Sequence, residues 1–296
     1  MPELPEVETI RRGLNKLVSG QKISAIHLNY QRMIQSDLSD FLAYLPGKTI
    51  LTVSRRGKYL LFELGDKTLI SHLRMEGKYL LFPSEAVPDY KHFHAFFTLS
   101  NGQTLVYQDV RKFGTMELVD KSKLLAFFKG KKIGPEPIAS EFTLAPFQEK
   151  LVKSTKKIKP YLLDQTLVAG LGNIYVDEAL WLSKIHPSEI ASNLSKKQIV
   201  DLRQAIISVL DEGVKRGGST IRSYKNALGK AGTMQDSLKV YAKKDQPCQR
   251  CDRPIEKYKL AGRGTHFCPH CQHLKKGESC AIEIGYTYIK IDRKMV

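Results

Sequence analysis

The spacing Cys-x2-Cys-x16-Cys-x2-Cys, formed by Cys248 and Cys251 in PCQRC and Cys268 and Cys271 in FCPHC, constrains this chain more than any other feature. Two thiolate pairs on tight turns can close a tetrahedron around Zn2+, and the long loop between them suits a β-hairpin. Two disulfides are the alternative, and they need an oxidising compartment. Against that, Pro and Glu stand at the N-terminus where a signal peptide carries basic residues and an apolar run, so a cytoplasmic location is expected. Four thiolates leave no open coordination position, and the single Zn2+ is therefore expected to be structural. Cys280 has no partner at a suitable spacing and reads as a free thiol with no assigned role.

The charge balance narrows the class. Lys and Arg number 47 against 30 Asp and Glu, giving +17. Such an excess is self-repulsive, and a polyanionic partner is its commonest counterpart. The basic residues are dispersed along the chain and do not gather on one amphipathic helix or tail. That favours a nucleic acid held in a groove over an anionic membrane surface. No stretch approaches the roughly 18 apolar residues of a membrane span.

Residues 23–118 consist of short apolar runs broken by Gly-Asp, Asn-Gly and Lys-Phe-Gly, which are hairpin and loop signals. Several strands at this spacing predict a sandwich or barrel. From about residue 121 the spacing becomes helical, in KLLAFFKG, PFQEKLVKST, the segment around Asn173–Ser183 and KKQIVDLRQAIISVLDEGVKRGG. The change falls near KKIGPEP (131–137).

The chain opens MPELPEVETI, with Pro5 suited to a first helical turn and Glu6 and Glu8 placed against the positive end of a helix dipole. Val7, Ile10, Leu14 and Leu17 give the apolar stripe. Pro2 has no part in this and matters chemically only as the first residue of the chain. In LLDQTLVAGLGNIYVDEALW, Gly170 and Gly172 form a turn before Asn173, which is expected to cap the next helix and leave its N–H groups facing outward for a phosphate. A plain interhelical turn explains the same residues. The basic run KSTKKIK (153–159), with Lys156 near its centre, reads as a solvated face or as a track for a nucleic-acid backbone. VSRRGKYL places Lys58 after Gly57 in a predicted tight turn. Arg263, in AGRGTHF, lies at the tip of the predicted zinc hairpin, either solvated or against a phosphate.

MPELPEVE, RRGKYL, HLRMEGKY, DVRKFG, KKIGPEP, LLDQTLVAGLGNIYVDE, AGRGTHFCPHC and the four-cysteine spacing together resemble the bacterial formamidopyrimidine-DNA glycosylase family, an 8-oxoguanine DNA glycosylase and AP lyase, colinearly from residue 1 to about 272. The resemblance implies an α+β multidomain fold. An N-terminal β-sandwich bearing the first helix would span 1–131. A helix–two-turn–helix module would span 132–237, with a lesion-covering loop near 216–232. A zinc-finger hairpin would span 238–272, followed by an extension of unknown role over 273–296. It implies a monomer that excises 8-oxoguanine and ring-opened purines from double-stranded DNA and cleaves the abasic strand, at the nucleoid. Carried over by residue, Pro2 would be the nucleophile after loss of Met1, Glu3 the acid/base, Glu6 a supporting carboxylate and Lys58 an assisting cation. Met75, Arg111 and Phe113 would fill the space left by an extruded base. His92, Lys156, Asn173 and Arg263 would contact DNA.

Three departures stand out. Phe93 replaces the usual Asp in KHFH, which bears on His92 and His94 as DNA contacts. Ala242 replaces the usual Gly before the finger. The tail from Gln272 to Val296 extends past the point where such chains commonly stop. An endonuclease VIII-like enzyme for oxidised pyrimidines and a non-catalytic zinc-finger DNA-binding protein are the alternatives. Leu4 and the Met/Arg/Phe set speak against the first, and Pro2, Glu3 and Lys58 together speak against the second.

Overall fold

The computed structural model describes residues 2–219 and 232–274. Helix α1 (Leu4–Val18) is followed by β1 (Ile23–Leu28), α2 (Leu38–Tyr44) and seven further strands, β2 (Thr52–Arg56), β3 (Tyr59–Glu63), β4 (Lys67–His72), β5 (Lys78–Pro83), β6 (Phe93–Leu99), β7 (Gln103–Gln108) and β8 (Thr115–Asp120). They form two antiparallel four-stranded sheets, ordered β1-β6-β7-β5 and β2-β3-β4-β8. The predicted β region is thus a sandwich. Alternation along the strands turns Phe62, Leu69, Phe97, Leu105 and Tyr107 into a common core.

Helices α3 (Leu124–Gly130), α4 (Leu144–Val152), α5 (Ile158–Leu163), α6 (Asn173–Leu182) and α7 (Lys196–Lys215) follow. The last four enclose a second core around Leu162, Tyr175, Val176, Leu180, Leu202 and Ile206. The long α7 starts at a capping box, in which Ser195 accepts from the Gln198 N–H and the Gln198 side chain accepts from the Ser195 N–H. Strands β9 (Glu256–Leu260) and β10 (Arg263–Phe267) make the predicted hairpin between the cysteine pairs.

Helix α1 joins the two larger cores. Val7, Ile10, Leu14 and Val18 are buried in the sandwich core, whereas Leu4, one turn earlier, belongs to the helical core. At about 1.5–3 kcal/mol for each fully buried aliphatic side chain, this one stripe ties the helix start to both units. The junction demands close approach. A Cβ on Gly213 would lie 2.6 Å from the Tyr175 ring and 2.8 Å from Pro5. Gly170, at φ +86, accepts the Leu4 N–H at 3.0 Å, and a Cβ there would lie 2.5 Å from that of Leu4.

Two expectations are corrected. Asn173 does not cap α6: the cap position is Gly172, and Asn173 is the first helical residue. The α6 N–H groups do not all face outward either, because those of Ile174 and Tyr175 are taken by the Glu3 carboxylate. The cap is supplied by a residue distant in sequence, which frees the Asn173 side chain for the finger. Most of the expected lesion-covering loop and of the tail, with Cys280 and Met1, lies outside the described residues.

Candidate active site and nucleic-acid interface

The site is built where two helix N-termini converge. Glu3 is the N-cap of α1, and its own N–H donates to Glu6 Oε2 at 2.8 Å. Its carboxylate reaches across to the start of α6, accepting from Ile174 N–H at 2.9 Å and Tyr175 N–H at 3.4 Å. Gly172 is required beside it, since a Cβ there would sit 2.2 Å from Glu3 Cδ. Glu6, also buried, accepts at Oε1 from the Tyr175 hydroxyl at 2.8 Å and from Ser219 N–H at 2.7 Å. Pro2, partly exposed, adjoins Glu3 directly.

Burial pushes the Glu3 carboxyl up from its ordinary value to about 7, with the Glu6 charge adding to the rise. The Lys58 ammonium and the two backbone N–H groups oppose it without prevailing. Glu3 is therefore half-protonated near neutrality, the condition under which one group both donates and accepts a proton. Lys58 is held by the same environment: burial lowers its pKa against the pull of Glu3 and Glu6, and its Nζ donates to the Leu171 carbonyl at 2.9 Å.

Lys58 owes its position to the predicted turn. Gly57 has φ +56, a conformation that favours glycine. Glu136 in the connector accepts from Gly57 N–H at 2.6 Å, from Arg56 at 2.8 Å and from Arg55 at 2.8 Å. Arg55 also donates to the Gly57 carbonyl at 2.9 Å. A carboxylate with three donors thus clamps the turn from the neighbouring unit.

Sequence reasoning missed His72, at the end of β4 behind Lys58. Burial, with Arg74 and Lys58 nearby, lowers its pKa to about 3, so the imidazole is neutral at physiological pH. Its Nδ1 accepts the Arg74 N–H at 3.0 Å, which places the ring proton on Nε2. The HLRM motif contained the residue, and the structure packs its ring edge-on against Tyr59 at 4.5 Å.

Two loops of the sandwich carry Met75, Arg111 and Phe113. Met75 is partly buried between β4 and β5, and Arg111 and Phe113 are exposed between β7 and β8. Each loop has one non-glycine residue at positive φ, Arg74 at 51° and Lys112 at 56°. Asp109 holds the second loop, accepting from the N–H groups of Arg111, Phe113 and Gly114 at 3.0, 2.9 and 2.8 Å. The Arg111 guanidinium lies 4.6 Å from the Phe113 ring centre, a cation–π contact. His92 is partly buried beside Tyr90. His94 is not at the surface: it is buried, and its Nε2 bonds the Asp109 carbonyl at 2.8 Å. Phe93, in the place of the usual Asp, is buried as well, packing on Phe82 and Tyr90.

The finger is fastened to the start of α6. Asn173 Nδ2 and Lys159 Nζ both donate to the Gly264 carbonyl, at 3.0 and 3.1 Å, and the buried Lys159 pairs with Asp177 at 2.7 Å. Arg263, next to this carbonyl, is exposed. Lys156 is exposed and pairs with Asp164 at 3.3 Å, apart from the Glu3 cluster. The four cysteine Sγ atoms lie within 4.8 Å of one another, and no disulfide joins them. Sγ separations of 3.5 Å for Cys251 and Cys268 and 4.0 Å for Cys248 and Cys271 match the roughly 3.8 Å edge of a zinc–thiolate tetrahedron. Trp181 Nε1 donates to Cys248 Sγ at 3.4 Å, a bond that orients the thiolate. The cluster fits one structural zinc.

Fold and site define a zinc-finger protein whose sandwich and helical units meet at a buried acid–base centre. Residues 1–116 match the model of the formamidopyrimidine-DNA glycosylase N-terminal domain, 133–225 that of the formamidopyrimidine-DNA glycosylase H2TH domain, and 245–274 that of the zinc finger found in FPG and IleRS. A formamidopyrimidine-DNA glycosylase of Streptococcus pyogenes is 60% identical over 272 residues, 92% of this chain and 98% of the relative. One from Streptococcus mutans is 59% identical over 92% of this chain and 99% of its own length. A Lactococcus lactis FPG variant solved with Fapy-dG-containing DNA superposes with a TM-score of 0.88 at 54% identity, covering 92% of this chain and 99% of its own. The Lactococcus lactis Fpg solved with abasic-site DNA gives 0.87 at 54% identity over the same shares. The chain belongs to the formamidopyrimidine-DNA glycosylase family.

Proposed function

We propose that this chain is a bifunctional enzyme of base-excision repair, removing 8-oxoguanine and formamidopyrimidines and then cleaving the abasic strand, with Pro2 as nucleophile once Met1 is removed. The glycosylase assignment follows from family membership, and double-stranded DNA is the substrate. The lyase step rests on the site. The observation that carries it is the Glu3 carboxyl, poised at about 7 on the residue after Pro2. Capping α6 accounts for a carboxylate at this place, whereas a carboxyl held at about 7 beside the N-terminal amine is the form that proton transfer at neutral pH requires.

The sequence of bonds is as follows. The Pro2 amine attacks C1′, the N–C1′ bond forms, and the glycosidic bond breaks with the electron pair leaving on the base, which takes up the proton shed by the amine. Glu3 gives its proton to the ring oxygen as the sugar opens, which leaves an iminium. That cation accepts the electron pair released when a C2′ proton is removed, and the 3′-phosphate departs. A second elimination expels the 5′-phosphate, and water releases the sugar fragment and regenerates the amine. Lys58, beside the carboxylates, supplies positive charge for a phosphate, while Met75, Arg111 and Phe113 enter the helix where the lesion has left it. His92, Lys156, Asn173 and Arg263 face the backbone in this reading. Domain boundaries near 131 and 237, a single-chain active form and action at the nucleoid belong to the same proposal.

Borohydride reduction with an 8-oxoguanine duplex tests it. A covalent adduct that is lost in Pro2→Gly supports the mechanism, and intact binding without an adduct overturns it. N-terminal mass analysis finding Met1 on active protein would do the same. Thymine glycol excised faster than 8-oxoguanine would favour the oxidised-pyrimidine alternative.

A further inference from the structure

Gln165 lies in the segment between α5 and α6, touches none of the groups that carry out the reaction, and adopts φ +68. That region suits glycine or asparagine, so a glutamine there is strained by an amount on the order of 1 kcal/mol or more. Its side chain explains why the position is occupied. Nε2 donates to the Leu163 carbonyl at 3.2 Å and to the Leu171 carbonyl at 2.6 Å, while Oε1 accepts the Gly170 N–H at 2.8 Å. Its backbone carbonyl accepts the Gly134 N–H at 2.8 Å. One primary amide thereby uses both donors and its acceptor to close the loop that ends at α6.

The three peptide units after this ring each serve the site. Gly170 presents its carbonyl to the Leu4 N–H at the start of α1. Leu171 presents its carbonyl to Lys58. Gly172 leaves room for the Glu3 carboxylate, whose donors follow at Ile174 and Tyr175. The Leu171 oxygen has two lone pairs, shared between Gln165 and Lys58. We infer that Gln165 is a positioning residue for the excision reaction, aligning the 170–172 backbone so that Lys58 and the donors of Glu3 are held in register. Occupying one lone pair of Leu171, it also weakens that carbonyl's hold on the ammonium and leaves Lys58 able to turn toward a phosphate.

This inference rests on the proposed function, and the wild-type enzyme assayed in parallel separates the two: if wild type excises nothing, the function fails and not the inference. Gln165→Gly and Gln165→Asn separate side chain from backbone, because both residues tolerate positive φ and neither can span to Leu171 and Gly170 together. The expected result for both is a modest fall in melting temperature, relief of the φ strain offsetting part of the three lost hydrogen bonds, with single-turnover excision of 8-oxoguanine slowed about tenfold to a hundredfold, beyond what the stability change accounts for. DNA affinity is expected to stay within about threefold, and the limb of the pH–rate profile that belongs to Glu3 moves upward as its N–H donors lose alignment. Gln165→Glu, which sets a carboxylate against the Leu171 oxygen and near Lys58, is expected to be slower still. Wild-type rate and pH profile in Gln165→Gly would overturn the inference. So would a slower rate matched by an equal loss of DNA affinity or of folding stability with an unmoved profile, since that is the mark of a merely structural residue.

Discussion

The junction of α1 with α6 and the two sandwich loops, which the proposed function sets against the same DNA, are built in opposite ways. At the junction, Glu3, Glu6 and Lys58 are 2%, 3% and 7% exposed, and each has its partners in place before DNA arrives. In the loops, Phe113 is 51% exposed, and what is fixed is the backbone beneath it. The difference follows from the tasks that the proposed function assigns to them. Proton transfer near pH 7 requires a carboxyl removed from water, whereas a side chain that must enter the DNA stack has to be exposed beforehand.

Glu3→Gln tests the buried side most severely. Excision should fall by about 10²–10⁴, as for loss of a general acid. Stability should move the other way, with its sign fixed by linkage. The folded-state pKa of about 7 exceeds the ordinary glutamate value of 4.5, so the folded protein binds the Glu3 proton more tightly than the unfolded chain. The stability this confers is complete below about 4.5 and lost as pH rises through 7. The variant should therefore gain in melting temperature relative to wild type at pH 8.5, with the difference shrinking toward pH 4.5. A constant difference across that range would remove the electrostatic account.

Asp109→Ala tests the exposed side at its base. Three backbone N–H groups lose their acceptor, one of them buried, and a loss of about 3 kcal/mol in denaturant unfolding is expected. Phe113→Ala should leave stability within about 0.5 kcal/mol, because the ring is exposed, while excision from duplex DNA slows. If unfolding measurements show Phe113→Ala as costly as Asp109→Ala, the division into fixed backbone and free side chain fails. The smallest effect lies outside both regions. Ala242, exposed at φ +61 before the finger, should gain less than about 1 kcal/mol on change to Gly, seen as a small rise in melting temperature with unchanged excision.

What could be read from the sequence follows the same division. The strands, the helices and the cysteine cluster announce themselves through periodicity and spacing, because neighbours in the chain create them. The Glu3 cap on α6 links residues 171 positions apart, and the Asn173 amide reaches 91 positions to Gly264. No local pattern signals either bond, which is why Asn173 was expected to cap its own helix. Gly172 was visible as a turn residue, but its function as a vacancy for Glu3 was not. Gln165 left no sign at all, since its value lies in a conformation that glutamine ordinarily avoids.

The crossing of the Glu3 carboxylate from one unit to the other works as an interlock. Its shell comes from α6, Tyr175 and Lys58, so a molecule whose two halves have parted returns Glu3 to water and to an ordinary acidity. At neutral pH such a molecule has lost the proton that the proposed mechanism has it deliver. Abasic-strand cleavage is hazardous to a genome when untimed, and under the proposed mechanism a loosened enzyme is also a disarmed one.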